Sequence, residues 1–284
     1  MAKKRTHSEI VALESQIPSE GHKIDIESKR NMKVVKSNEL IQKSRYMLSL
    51  QEQRIILYIV SMLKPDDVQG RISFIINDFI EVCGLSKSGN LVKDVKAAIK
   101  NLGDNSFWIK RSNGEETLVR WIDKPVISSD KKSFSVSIDA DLKPYLIKLK
   151  KLYTSYELIN VLPMGSRYAI RLYEILRSYL NQRGHTFKVD ELKLMLCAEV
   201  DKRDITQFIV PKSYEAYSKF NQAILQPALK DIAEFTDIAV TMIPIRNGKK
   251  VEQLKFIVSS VMEESPDEAM LRYNRANEKL NNRE

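Results

Sequence analysis

Lys219, Gln222, Gln226 and Lys230 recur at spacings of three and four within "YSKFNQAILQPALKDIAEF", residues 217–235. On a helix turning by about 100° per residue, that spacing gathers them on one face. An ordinary wet face mixes in Glu and Asp, whereas these positions hold two amides, two cations and no acid. A glutamine amide can pair in two places with the N6/N7 edge of adenine, and lysine can meet guanine or phosphate. The chemistry on offer is recognition of nucleic acid, with Ser218 and Asn221 flanking the row. The opposite side carries Tyr217, Phe220, Ile224, Ala228, Ile232 and Phe235, the stripe of a helix packed on a core. Pro227 has no N–H and its ring meets the preceding turn, so it predicts a bend. The N-terminal part would enter a groove and the C-terminal part would turn back onto the core.

Two further clusters extend this surface. Arg246, Lys249 and Lys250 surround the turn pair Asn247-Gly248, where a hairpin could lay three cations along a phosphate backbone. Lys87, Ser88, Asn90, Lys93 and Lys96 occupy an earlier turn and helix, interrupted by Asp94. The hairpin expected beyond that helix has the acidic tip "SNGEE", so this half reads as the poorer DNA reader, partly given to protein contacts.

Catalytic patterns are missing. There is no glycine-rich run ending in Gly-Lys-Ser/Thr to cradle a nucleotide. His7, His22 and His185 are far apart, so they do not form a metal pair, and a nicking enzyme would need such a cluster beside a nucleophilic tyrosine. Acidic residues stand singly on amphipathic helices. No metal, cofactor or catalytic constellation is expected. Cys83 and Cys197 lie in apolar helical patterns and are expected to be buried reduced thiols of a cytoplasmic protein.

The elements that would position these residues occur twice. "SLQEQRIILYIVSML" (49–63) is helical, capped by Ser49, with Ile55, Ile56, Ile59, Val60 and Leu63 on one face. A short strand follows at 71–77, a helix at 78–85 ending near Gly84, and a helix at 91–102. A hairpin comes next from 106–111 and 117–127 around Asn113-Gly114, and then a third strand at 133–139. The second half repeats the order with a Ser166-capped helix (166–180), a strand (185–190), a helix (191–198), the helix at 217–235 and a hairpin around Asn247-Gly248. Helix, strand, helix, helix, hairpin is the winged-helix plan. The expected fold is α+β, two tandem winged-helix domains related by an internal pseudo-repeat. The expected division is a flexible arm (1–33), domain 1 (34–150), a linker (151–165), domain 2 as main reader (166–262) and a helical tail (263–284). In that tail Ser265 caps, Pro266 opens the first turn, and the charged faces suggest a surface appendage.

Length and charge fit. The 284 residues exceed what one small core needs. The net charge is +9; setting aside 7 basic and 5 acidic residues in 1–33, and 4 and 6 in 263–284, leaves 35 against 26. The excess therefore lies in the folded centre, which suits a polyanionic partner. No apolar run approaches the roughly 20 residues needed to span a bilayer, and no apolar core follows the N-terminal lysines.

Residues 33–63, "VKDVKAAI" (92–99), 166–180 and 217–238 resemble the iteron-binding plasmid replication initiators of the RepE and Pi type. Ser37-Asn38, Arg171-Leu172-Tyr173-Glu174 and Lys230-Asp231-Ile232 carry the resemblance best. It implies two winged-helix domains on directly repeated origin sites in double-stranded DNA. It also implies monomers that open the origin with a host replication initiator and helicase, and dimers, joined through domain 1, that bind an operator and repress. The linker would change shape between these states. The resemblance points to Asn221 as a base reader, whereas the helical wheel turns Gln222 outward. Where relatives carry Arg or Lys after the matching Phe, this chain has Asn221-Gln222-Ala223, which favours adenine over guanine. A dimeric winged-helix transcription regulator and a nicking replication enzyme are the competing readings.

Overall fold

The computed structural model describes residues 25–64, 71–85, 90–110, 114–204 and 207–283. The N-terminal half begins with α1 (Ile26–Arg30), β1 (Lys33–Ser37) and α2 (Asn38–Lys43). α3 (Leu50–Ser61) opens on a reciprocal cap, in which the Ser49 hydroxyl accepts from the Glu52 N–H and the Glu52 carboxylate accepts from the Ser49 N–H. β2 (Arg71–Ile75), α4 (Ile76–Val82) and α5 (Leu91–Asp104) follow, then β3 (Ser106–Lys110), β4 (Glu116–Arg120), β5 (Ile122–Ile127) and β6 (Ser133–Ile138). β7 (Tyr153–Glu157) leads to α6 (Arg167–Ser178), β8 (Gly184–Lys188) and α7 (Val189–Cys197), with the short β9 (Glu199–Val200) and β10 (Phe208–Ile209) beyond. The helix expected at 217–235 forms as α8 (Tyr217–Phe220), a π-helical turn (Asn221–Leu225) and α9 (Gln226–Phe235). β11 (Ile238–Asn247), β12 (Lys250–Ser260), α10 (Val261–Glu264) and α11 (Pro266–Asn281) complete the chain.

The pseudo-repeat is visible in the sheets. One has the order β2-β6-β5 and the other β8-β12-β11, so in each half the strand after the first helix pairs with the second strand of a hairpin. The pairing corrects which hairpin is the first wing. The stretch 117–127 breaks at Trp121 into β4 and β5, which join different sheets. Trp121 is buried against Phe107 and Tyr46, with ring centroids 4.8 and 4.9 Å away, and this cluster turns the chain. The β3–β4 hairpin is therefore an extra element, and Asn113 of the expected turn pair lies outside the described residues. The wing of domain 1 is β5–β6, with its tip at 128–132.

Three boundaries also change. The arm expected over 1–33 gives way to structure from Asp25, whose side chain caps α1; residues 1–24 lie outside the described residues. The expected linker is a strand, since β7 pairs antiparallel with β1 from Lys33↔Glu157 to Ser37↔Tyr153. The tail is not an appendage, because Ala276 and Leu280 of α11 are buried. Buried Arg30 donates to Asn277 and Asn281 Oδ1 at 3.0 and 2.9 Å and to the Val82 carbonyl at 2.9 Å. Arg272 donates to the carbonyls of Thr236 and Ile238, and Lys279 sits 4.2 Å from the Phe235 ring. α11 thus spans both domains. Tyr273, Ala276 and Leu280 give the segment only a narrow apolar stripe among charged residues, which is why the sequence suggested a surface appendage.

At the junction, Lys36 Nζ and Glu174 Oε1 lie 2.6 Å apart, both about 2% exposed. Tyr156 Oη also donates to that oxygen at 2.6 Å, and Arg171 stands 3.9 Å from Oε2. Arg171 donates to the carbonyls of Ile41 and Ser44 and to Tyr46 Oη. Burial pushes the Glu174 carboxyl up, but the Lys36 and Arg171 charges, with hydrogen bonds from Lys36 and Tyr156, outweigh it and hold it below the usual range. A carboxyl with a lowered folded value adds stability above its unfolded value, and that contribution is lost as pH falls through the folded one.

Glu174→Gln strands a buried ammonium and is expected to cost about 3–5 kcal/mol in urea unfolding at neutral pH. The gap to the parent should narrow below about pH 4 as the parent's carboxyl protonates. Gly84 has φ +57°, and a Cβ there would run into the Leu280 backbone carbonyl. Gly84→Ala is therefore expected to loosen α11, read as faster proteolysis within 266–281 while the remainder keeps its resistance.

Candidate nucleic-acid interface

The helix at 217–235 is held from behind. Phe220, Ile224, Leu225, Ala228, Ile232 and Phe235 are buried. Lys193, itself 5% exposed, donates from Nζ to the Glu215 carbonyl at 2.6 Å and so pins the turn that enters the helix. Asp231 accepts from the Gly165 N–H at 2.9 Å, which ties the helix to the end of the junction. With the back fixed, Ser218, Lys219, Gln222, Gln226 and Lys230 are all exposed, and Asn221 is half-buried. The residues of the row expected from spacing are therefore all open to solvent.

The helix stays continuous through Pro227, where a bend was expected. The widened turn at Asn221–Leu225 absorbs the proline, and the helix continues through Gln226–Phe235. Gln226 Nε2 donates to Asn221 Oδ1 at 3.3 Å, so these two amides act on each other, while Gln222 stands clear.

The second wing stands beside this helix. β11 and β12 pair from Ile238↔Ser260 to Asn247↔Lys250, which makes Gly248 and Lys249 the two-residue loop, one place along from the expected Asn247-Gly248 pair. Gly248 has φ +59° at the first loop position, where a residue without a Cβ fits the turn. Arg246, Lys249 and Lys250 are exposed, and Arg246 Nη1 donates to the Lys249 carbonyl at 3.4 Å across the loop. Burial pushes the Tyr217 hydroxyl up and the Arg246 charge pulls it down, so wing and helix entrance share one field. A cleft of about 590 Å³, lined by Asp190, Glu191, Tyr217, Lys250 and Glu252, separates them. Among the described residues, Lys219, Lys230, Lys249 and Lys250 take part in no ion pair. Unpaired cations keep their full charge for an incoming polyanion.

Domain 1 differs. Asn90, Lys93 and Lys96 are exposed on or just before α5, and Lys87 and Ser88 lie outside the described residues. Lys93 and Lys96 line a cleft of about 600 Å³ with Arg120 and Lys124. The neighbouring cations are largely neutralised: Lys100 pairs with Asp104, Arg120 with Asp123 and Asp139, and Lys124 with Asp123. The sequence reading missed the tip of this domain's wing. Asp130, Lys131 and Lys132 lie there, closed by Ser128 N–H to the Ser133 carbonyl at 3.0 Å, with Lys131 at φ +60°. The alternating "SFSVSI" just after "SSDKK" was the available signal.

Cys83 and Cys197 are buried and not paired with each other, and burial pushes both thiols up to about 12. No described helix is long and apolar enough to cross a membrane.

The sequence matches the Initiator Replication protein, WH1, family over residues 33–177 and the Initiator Rep protein, WH2, family over 188–258. The chain belongs to the replication initiator family. A replication initiation protein of Escherichia coli is 27% identical over 237 residues, covering 79% of this initiator and 69% of the relative. The Pi initiator protein, solved in complex with iteron DNA, shares 20% identity and a TM-score of 0.65, covering 81% of this initiator and 98% of Pi. At that identity the likeness speaks for the fold: two tandem winged helices. Domains 2 and 3 of RctB superpose with a TM-score of 0.42 at 14% identity, over 81% of this chain and 88% of theirs.

Lys249→Ala is expected to weaken binding to every duplex alike and to lower the salt slope of affinity by about one. Gln222→Ala should leave the slope intact and change preference at one base pair by about 1–3 kcal/mol, measured by fluorescence anisotropy on single-substitution duplexes. If both variants behave as the parent, the second domain is not the reader.

Proposed function

We propose that the initiator starts plasmid replication by binding directly repeated duplex sites at its origin, with the second domain as main reader and the first as auxiliary contact. The observation that carries this is the acid-free row Lys219, Gln222, Gln226 and Lys230 standing beside a wing whose lysines are unpaired. The helix supplies base contacts and the wing supplies register and affinity. Family membership supports the same reading, and Pi, its structural neighbour, was solved with iteron DNA. The role is that of a binding protein with no chemistry of its own and no need of a cofactor, acting in the cytoplasm without a membrane. In the same reading its partners are a host replication initiator, a helicase and, for autorepression at an operator, a second copy joined through domain 1; resemblance to the family supports them.

Gel retardation on duplex DNA taken from upstream of its own gene tests the reading. The expected result is a ladder with one retarded band per direct repeat. A single band on an inverted repeat, with no binding to direct repeats, would instead indicate a dimeric transcription regulator. Nicking of supercoiled DNA in the presence of a divalent metal would indicate an enzyme.

A further inference from the structure

Pro227 lies inside a helix that a proline should break, and the way the helix accommodates it has a use. The inference rests on the helix at 217–235 being the base reader. In an unbroken α-helix, residue 227 would donate to the carbonyl of Ala223. Proline has no N–H to give, and its ring collides with that carbonyl. The chain answers by widening one turn: the Gln226 N–H donates to the carbonyl of Asn221, five residues back. Ile224 and Leu225, adjacent in sequence, are then both buried, at 1% and 0% exposure.

On the outer side the wide turn has the opposite result. Residues five apart on an α-helix are about 140° apart around the axis and do not meet. Here Asn221 and Gln226 do meet, through the backbone bond and through Gln226 Nε2 to Asn221 Oδ1 at 3.3 Å. The pair keeps the Gln226 carbonyl oxygen as acceptor and the Asn221 amide hydrogens as donors. Adenine presents one donor, N6, and one acceptor, N7, at its major-groove edge. An amide already held by its neighbour has less rotamer freedom left to lose on binding.

We propose that Pro227 is a positioning residue for specificity: it forces the wide turn that couples Asn221 to Gln226 as one amide unit directed at an adenine edge. Gln222, outside the coupled pair, makes a separate contact. Pro227 itself touches no base, and its effect passes entirely through the backbone.

The test uses the full chain. The parent is first allowed to select its own site from a pool of random-sequence duplexes. Affinities are then measured on that duplex and on versions with each A·T pair replaced by G·C, at two salt concentrations. The proteins are the parent, Pro227→Ala, Asn221→Ala, Gln226→Ala and the double variant Asn221→Ala/Gln226→Ala. Pro227→Ala should unfold at a higher temperature than the parent and yet lose about tenfold or more in discrimination at one A·T position, with the salt slope unchanged. Each amide variant should lose discrimination at that same position, and the double variant no more than either alone. Parent-like discrimination by folded Pro227→Ala overturns the proposal. Additive losses at two different positions overturn it too, and this second criterion decides the matter if Pro227→Ala fails to fold. A parent that selects no sequence overturns the underlying reading of the helix, a distinct outcome.

Discussion

The arrangement of the molecule depends on one buried carboxylate. Glu174 sits on α6, and its partners come from far away in the chain or from another element: Lys36 from β1, Tyr156 from β7. Arg171, on the same helix, reaches the Ile41 and Ser44 carbonyls. A buried charge is tolerated only where its counter-charges and hydrogen bonds are fixed, so this cluster admits few placements of α6 against the β1–β7 pair. Of the residues that best carry the family resemblance, Arg171 and Glu174 are therefore parts of a buried joint, while Lys230 stands on the exposed row.

The reading helix depends on the same kind of restraint at a smaller scale. Asp231 holds Gly165 and Lys193 holds the Glu215 carbonyl, so the helix is fixed at its entrance and along its back while the amide row stays exposed. A proline that would ordinarily end such a helix is accommodated by one wide turn. That turn rotates the amides relative to the wheel drawn for a uniform helix, so Asn221 and Gln226 become neighbours although their spacing in sequence forbids it in an α-helix.

What was legible in the sequence followed from periodicity. The capped helices at Ser49, Ser166 and Ser265 form, the stripe from Phe220 to Phe235 is core, and the repeated order of elements is real. What was illegible followed from pairing. Asn113-Gly114 makes a good turn wherever it stands, so turn chemistry alone could not reveal that the wing strand pairs with Arg71–Ile75 through a different hairpin. The strand Tyr153–Glu157 looked like a linker because its partner lies over a hundred residues earlier in the chain. The role of Pro266–Asn281 was hidden because Tyr273, Ala276 and Leu280 make only a narrow apolar stripe, and much of the rest of its hold is polar, through Arg30, Asn277 and Asn281.

That last helix also orders events in time. It follows both winged helices in the chain and touches each of them, at Gly84 on one side and at Phe235 on the other. During synthesis from N to C terminus, domains fold as they emerge. The helix that ties the two winged helices is thus made after both, so the strap can close only once the segments it bridges have been synthesised.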